Sequence, residues 1–109
     1  MANKYGARKV KTSTGETFDS VKEYNRYREL LLLARAGKIH DVIRQVKFEL
    51  IPKQDGERAC NYIADFVYWE GDKMVVEDVK GYKNGAAYEL FKIKRKLMLA
   101  RHGIRIREV

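Results

Sequence analysis

Asn61-Tyr62-Ile63-Ala64-Asp65-Phe66-Val67-Tyr68-Trp69-Glu70-Gly71-Asp72-Lys73-Met74-Val75-Val76-Glu77-Asp78-Val79-Lys80-Gly81 is the stretch that decides the fold. Residues 61–69 are rich in aromatic and β-branched side chains and read as a strand. Glu70-Gly71-Asp72 is a tight turn, and residues 73–80 return as an antiparallel strand that Gly81 ends. Side chains alternate along a strand. Ile63, Asp65, Val67 and Trp69 are therefore expected on one face, and Tyr62, Ala64, Phe66 and Tyr68 on the other. In the returning strand Met74, Val76, Asp78 and Lys80 share a face, with Val75, Glu77 and Val79 opposite. Both Asp65 and Asp78 thus stand among apolar neighbours.

Upstream, residues 45–51 alternate and stop at Pro52, the single proline. Residues 53–58 form a polar turn around Asp55-Gly56. Before them lies a helix: Ser20-Val21-Lys22-Glu23 is a capping box and Gly37 a C-terminal stop. At about 100° per residue its apolar face carries Tyr24, Tyr27, Leu30, Leu31 and Ala34, while Lys22, Asn25, Arg26 and Glu29 turn away. Glu23 falls in the middle of that apolar face. Downstream, residues 82–85 form a loop and residues 86–102 a second helix closed by Gly103. Its expected core stripe is Leu90, Ile93, Leu97 and Ala100, with Lys92, Arg95 and Lys96 outward. Residues 104–109 alternate as a last strand. The order is α-β-β-β-α-β, an α/β fold with a mixed sheet flanked by helices. Residues 1–17 read equally as a basic arm or as a small hairpin closed by Ser13-Thr14-Gly15, and residues 18–109 as one domain.

The chain has 109 residues, and 23 basic against 15 acidic side chains give it a net charge of +8. A hydrophobic content of 45% suits one small core and excludes a disordered chain. The longest apolar run, residues 30–34, is far short of the ~20 residues that span a bilayer. No signal-like segment opens the chain, and the one cysteine, Cys60, has no internal partner. A reducing, cytoplasmic setting without a membrane is expected. The positive charge points to an anionic partner, with nucleic acid foremost.

Three separate elements each place a carboxylate among apolar residues: Glu23, Asp65 and Asp78. A buried carboxylate is normally paired, protonated or bound to a metal. Adjacent strands lie roughly 5 Å apart, so Asp65 and Asp78 can share an ion. Oxygen donors without a His or Cys cluster favour Mg²⁺ or Mn²⁺. Lys80, two residues beyond Asp78 on the same face, can orient a water beside such an ion. Each piece also has a plainer reading. Glu23 completes a capping box, Asp65 accepts a structural hydrogen bond, and Asp78 with Lys80 makes a same-face ion pair. Glu77 replaces Asp78 as the ligand if the strand phase is shifted by one.

The constellation resembles the PD-(D/E)XK nuclease superfamily, whose shared core is α-β-β-β-α-β. Its signature is an acid on the second strand followed by (D/E)-X-K on the third, here Ala64-Asp65 and Asp78-Val79-Lys80. Ala64 stands where the superfamily's name has proline. Phe18-Asp19-Ser20-x-x-Glu23, Gly37-Lys38-Ile39, Gln45-x-x-Phe48, Tyr62-x-Ala64-Asp65-Phe66 and Glu77-Asp78-Val79-Lys80-Gly81 look like a family of short phage-encoded nucleases. They are similar also to TnsA-like transposon endonucleases and, more distantly, to phage Holliday-junction resolvases. The likeness covers residues 4–109. It implies a restriction-endonuclease-like core in which Asp65, Asp78 and the Val79 carbonyl bind the metal. Glu23 would hold the ion directly or through water, and Lys80 would position the attacking water. Gln45 and Lys94 would orient water or touch the scissile phosphate. The plainer alternatives are that Gln45 pairs in the sheet and Lys94 snorkels.

The expected activity is Mg²⁺- or Mn²⁺-dependent hydrolysis of DNA, leaving 5′-phosphate and 3′-hydroxyl ends, with branched or junction DNA as a candidate substrate. Lys4, Arg8, Lys9, Lys11, Lys83, Lys92, Lys94, Arg95, Lys96 and Arg101 are the candidates for holding the backbone. Cutting both strands makes a homodimer plausible. The alternative is a nucleic-acid-binding protein that uses the same surface without cutting.

Overall fold

The turn at Gly71, with its φ of 63°, sends the chain back on itself and pairs Glu70 with Lys73 and Phe66 with Glu77. Around this hairpin the computed structural model, which describes residues 8–81 and 83–109, assembles the chain. β1 (Val10–Lys11) and β2 (Thr17–Phe18) form a small antiparallel hairpin, so the basic segment is a hairpin from residue 10 onward. Lys4, Tyr5 and Tyr82 lie outside the described residues. Next come α1 (Val21–Arg35), β3 (His40–Ile51), β4 (Cys60–Glu70), β5 (Lys73–Asp78), α2 (Gly85–His102) and β6 (Arg107–Glu108). The main sheet has the order β3-β4-β5-β6, antiparallel except for the parallel β5–β6 pair. The described residues form a mixed α/β structure with two helices and a mixed four-stranded sheet. Among the described residues no helix is long and apolar enough to cross a membrane.

One apolar cluster, on the α1 side, joins Leu30, Ile39, Phe66, Tyr68 and Val75, with Tyr27, Leu33, Ala34 and Val42 against it. The other, on the α2 side, joins Leu50, Tyr62, Ala64, Val67, Val76, Phe91, Met98 and Ile106. These memberships correct the strict alternation expected for residues 61–69. Tyr62 and Ala64 pack toward α2, whereas Phe66 and Tyr68 pack toward α1, so β4 changes phase at Asp65. β3 does the same, with Val42 toward α1 and Val46, Phe48 and Leu50 toward or against the α2 cluster. Gln45, at φ 53°, sits at that reversal in the left-handed region. Arg44 pairs with Phe66 and Val46 with Ala64, so the register is kept because both strands reverse at the same level.

α1 starts at its Ser20 cap, and both helices stop at their glycines. The Ser20 Oγ accepts the Glu23 N–H at 3.1 Å, and Gly103 closes α2 at φ 66°. Their buried faces differ from the expected stripes. On α1, Leu31 is exposed and Leu33 is packed. On α2, Phe91 and Met98 are buried, with Tyr88 and Leu97 beside them, while Leu90, Ile93 and Ala100 are exposed. The helix is rotated by about one residue because its aromatic Phe91 fills the space beside Tyr62, with ring centroids 6.3 Å apart. Strand limits also move. β3 begins at His40, β5 ends at Asp78, and the last strand shrinks to Arg107–Glu108.

Glu77 is 0% exposed and lies on the α1 side. Arg26 of α1 grips it with two hydrogen bonds, Nε to Oε1 at 2.9 Å and Nη2 to Oε2 at 2.6 Å. The Tyr68 hydroxyl also donates to Glu77 Oε2. Arg26, expected to point away from the core, is instead the clasp between α1 and β5. Removing the guanidinium leaves a buried carboxylate unpaired, so Arg26→Ala should cost about 3 kcal/mol. Urea unfolding of Arg26→Ala, Glu77→Leu and the double variant checks this. The double variant should be more stable than Arg26→Ala alone, and additive losses would show that the pair is not coupled.

Candidate active site

β4 runs on to Cys60, but its pairing with β5 ends at Phe66↔Glu77. Beyond that pair the two strands part, and the gap is where the sequence's carboxylates gather. Asp65 takes the place of the missing ladder partner: its Oδ2 accepts the Val79 N–H at 2.8 Å. The end of β5 and the residues after it are held on the other side by Val109, just beyond β6, through Val109 N–H to Asp78 O at 3.0 Å and Lys80 N–H to Val109 O at 2.9 Å. Asp78 is buried on the α2 side. The Tyr62 hydroxyl donates to its Oδ1 at 2.8 Å, and Lys80 Nζ lies 2.6 Å from its Oδ2. Lys80 also rests over the Phe91 ring, 3.5 Å from its centroid.

Glu23 reaches the gap from the first turn of α1. Its Oε2 accepts the Asp19 N–H at 3.1 Å, one residue before the cap, and its Oε1 accepts from Gln45 Nε2 at 3.2 Å. Glu23 thus serves the helix start, and its other oxygen meets Gln45, a contact the sequence did not indicate. Arg44 Nη2 stands 3.9 Å from Glu23 Oε1. The same guanidinium lies 3.7 Å from the centroid of Phe18 and donates to Thr17 O at 2.6 Å, tying the N-terminal hairpin to the site.

The three acids feel one another. Burial, then the charge of Asp78, pushes the Asp65 carboxyl up to about 7, against the pull of the Val79 N–H and Lys80. Burial also raises Glu23, with the Asp19 N–H and Arg44 opposing and Asp78 adding to the rise. Tyr62 is held firmly protonated by burial and by Asp78, so its hydroxyl remains a donor. Lys80 and Arg44 offset part of this charge, and a proton on Asp65 or a further cation relieves the rest. Among the described residues no group of three His, Cys, Asp or Glu stands close enough to hold a metal ion. Asp65 Oδ1, however, has no hydrogen-bond partner among those residues, and every donor is a hard oxygen.

Asp78 and Lys80 open onto a cleft of about 350 Å³ that Lys47, Asn61, Tyr62, Ile63, Leu90, Phe91 and Lys94 also line. Lys94 is thus brought to the site, where the sequence offered it as a phosphate contact. Glu77 is not, since its carboxylate faces Arg26. The basic candidates divide. Lys92 is bound to Glu89 at 2.9 Å, Arg95 to Glu108 at 2.9 Å, Arg101 to Glu49 at 3.4 Å and Lys83 to Glu108 at 4.0 Å. Arg8, Lys9, Lys11 and Lys96 are exposed, away from these pairs. Lys47, Tyr62 and Arg44 were missed. Lys47 reads as an outward position of the alternating strand 45–51, Arg44 lies just before that strand, and nothing in the spacing of Tyr62 tells that its hydroxyl reaches Asp78.

No curated protein and no solved structure matches the chain. A family model described as "Protein of unknown function (DUF1064)" matches residues 2–107, nearly the whole length. The chain belongs to the DUF1064 family.

Proposed function

We propose that the chain is a metal-dependent DNA endonuclease with a PD-(D/E)XK-type, restriction-endonuclease-like core. The observation that carries this reading is the pairing of Asp78 with Lys80 at the wall of an open cleft, with Asp65 and Glu23 beside them, both carboxyls raised by burial. The order α1-β3-β4-β5-α2-β6 supports it, as does the parting of β4 and β5 at the acids.

Asp65, Asp78 and the Val79 carbonyl would hold Mg²⁺ or Mn²⁺, with Glu23 beside it. The ion supplies charge stabilisation on the phosphate oxygens. Tyr62 fixes the Asp78 carboxylate by donating to Oδ1. Lys80 donates from Nζ to the water that attacks phosphorus, and Lys94 neutralises a phosphate oxygen. The new bond joins water oxygen to phosphorus as the water releases a proton to solvent, and the P–O3′ bond breaks. Products are a 5′-phosphate and a 3′-hydroxyl, the 3′ oxygen taking up a proton. Gln45 keeps Glu23 aimed into the gap. The chemistry favours DNA held along Lys94 and the exposed lysines and arginines, with a homodimer supplying two cuts.

The rival reading, a binding protein on the same fold, is favoured by the hydrogen-bond partners that already occupy both Asp78 oxygens. Incubating supercoiled plasmid with Mg²⁺, Mn²⁺ or EDTA separates the two. Metal-dependent nicking should fall roughly 10²-fold or more in Asp78→Ala and in Lys80→Ala. Salt-sensitive binding without nicking under either metal would decide for the rival.

The raised pKa of Asp65 carries its own consequence. Between the unfolded value near 3.8 and the folded value of about 7, the folded state holds a proton that the unfolded chain has released. Metal-free protein should therefore lose stability as pH rises through that window. Melting temperatures in EDTA at several pH values should fall more steeply for the wild type than for Asp65→Asn, and Mn²⁺ should restore the wild type above pH 7. Parallel slopes for the two proteins would show that Asp65 ionises without penalty.

A further inference from the structure

The cleft beside Asp78 has two kinds of wall. Lys47 and Lys94 bring ammonium groups that, among the described residues, have no acidic partner, while Lys80 is taken by Asp78. Ile63 and Leu90 line the same cleft and are 53% and 54% exposed. Ile63 and Leu90 differ from the other exposed aliphatic side chains in sharing one cleft with Asp78 as well as with cations. An intact duplex offers phosphates to the lysines but nothing to the aliphatic groups, because its bases are stacked inside. A base turned out of the stack offers both, an apolar face joined to a phosphate. A second copy of this chain fits poorly, since a symmetric contact would bring the same lysines together on molecules of charge +8.

We propose that Ile63 and Leu90 form a subsite for one unstacked nucleobase, next to a phosphate held between Lys47 and Lys94. The chain then prefers nucleic acid with an unpaired nucleotide beside the position presented to Asp78. This deepens the nuclease reading, resting on its nucleic-acid substrate but not on cutting.

Fluorescence anisotropy of the full chain in EDTA tests it, with three DNAs: a perfect duplex, the same duplex with one bulged adenine, and the same with an abasic bulge. The adenine bulge should bind roughly tenfold tighter than the perfect duplex, with the abasic bulge close to the duplex. Ile63→Ser with Leu90→Ser should bring that ratio to about one. Leu32→Ser, at an exposed position on α1, should keep it. Equal binding of the three DNAs by the wild type, or a ratio that the double substitution leaves intact, overturns the subsite. So does a wild-type dimer in light scattering that the double substitution turns into monomer, which would give the patch to a second copy. Loss of the nuclease reading is seen separately, as absence of metal-dependent nicking while the binding ratio stands.

Discussion

Everything at the candidate site depends on the clasp between Arg26 and Glu77. β5 carries two acids in succession, and a strand must send neighbours to opposite faces. Glu77 goes toward α1, where the guanidinium and the Tyr68 hydroxyl satisfy both of its oxygens. Asp78 is thereby committed to the α2 side, against Tyr62 and Lys80. Exchanging the two acids would leave one carboxylate without its donors and cost more than any packing gain on the other face. A buried ion pair contributes little net stability beside an apolar pair of the same volume. Its effect here is to fix the phase of β5, and phase decides which acid reaches the cleft.

The second constraint is the double reversal at Gln45 and Asp65. Regular strands would have carried β4 past Asp65 with Phe66 and Ala64 on one face. The structure instead spends a left-handed residue in β3 to turn both strands together. One half of the sheet can then pack against α1 and the other against α2. The cost of a non-glycine residue at positive φ is of order 1 kcal/mol. It is offset by two separate apolar clusters, each with its own helix. The reversal also lies where β5 leaves β4, so an acid from the sheet's interior is exposed to a cleft without breaking a ladder elsewhere.

The punctuation was legible in the sequence: Ser20, Gly71 and Gly103 each act locally, through a cap or a positive φ, and need no tertiary partner. The closeness of Asp78 and Lys80 was legible for the same reason, since two residues along a strand return to one face. Glu23 was legible because an acid on an apolar helix face is an anomaly by itself. The face of α2 was legible only at Leu97, because Leu90, Ile93 and Ala100 extend as good a stripe from it as Phe91 and Met98 do. Only the space beside Tyr62 selects the aromatic one. Nor was the change of phase at Asp65 legible, for it rests on Gln45 adopting a conformation that glutamine seldom takes. The first turn of β3 was hidden likewise, since residues 40–44 gain strand structure only from pairing with residues 66–69.

Net charge gives a poorer account of the surface than pairing does. Of the basic residues the composition offers to an anionic partner, Arg26 is consumed inside the fold, Arg44 holds the hairpin, and Lys83, Lys92, Arg95 and Arg101 face acids. Exposed pairs of that kind are worth little and exchange readily for a phosphate, so they can contribute to salt-sensitive binding without choosing a place for it. Lys47 and Lys94 differ because they share one cleft with Asp78 and have no acidic partner among the described residues. Two cations in one cleft with the Asp78 carboxylate form a gradient across a few side chains. A phosphodiester is a suitable occupant of such a gradient when a metal ion screens the acidic side. The apolar part of the wall then decides which nucleic acid can bring its phosphate close enough.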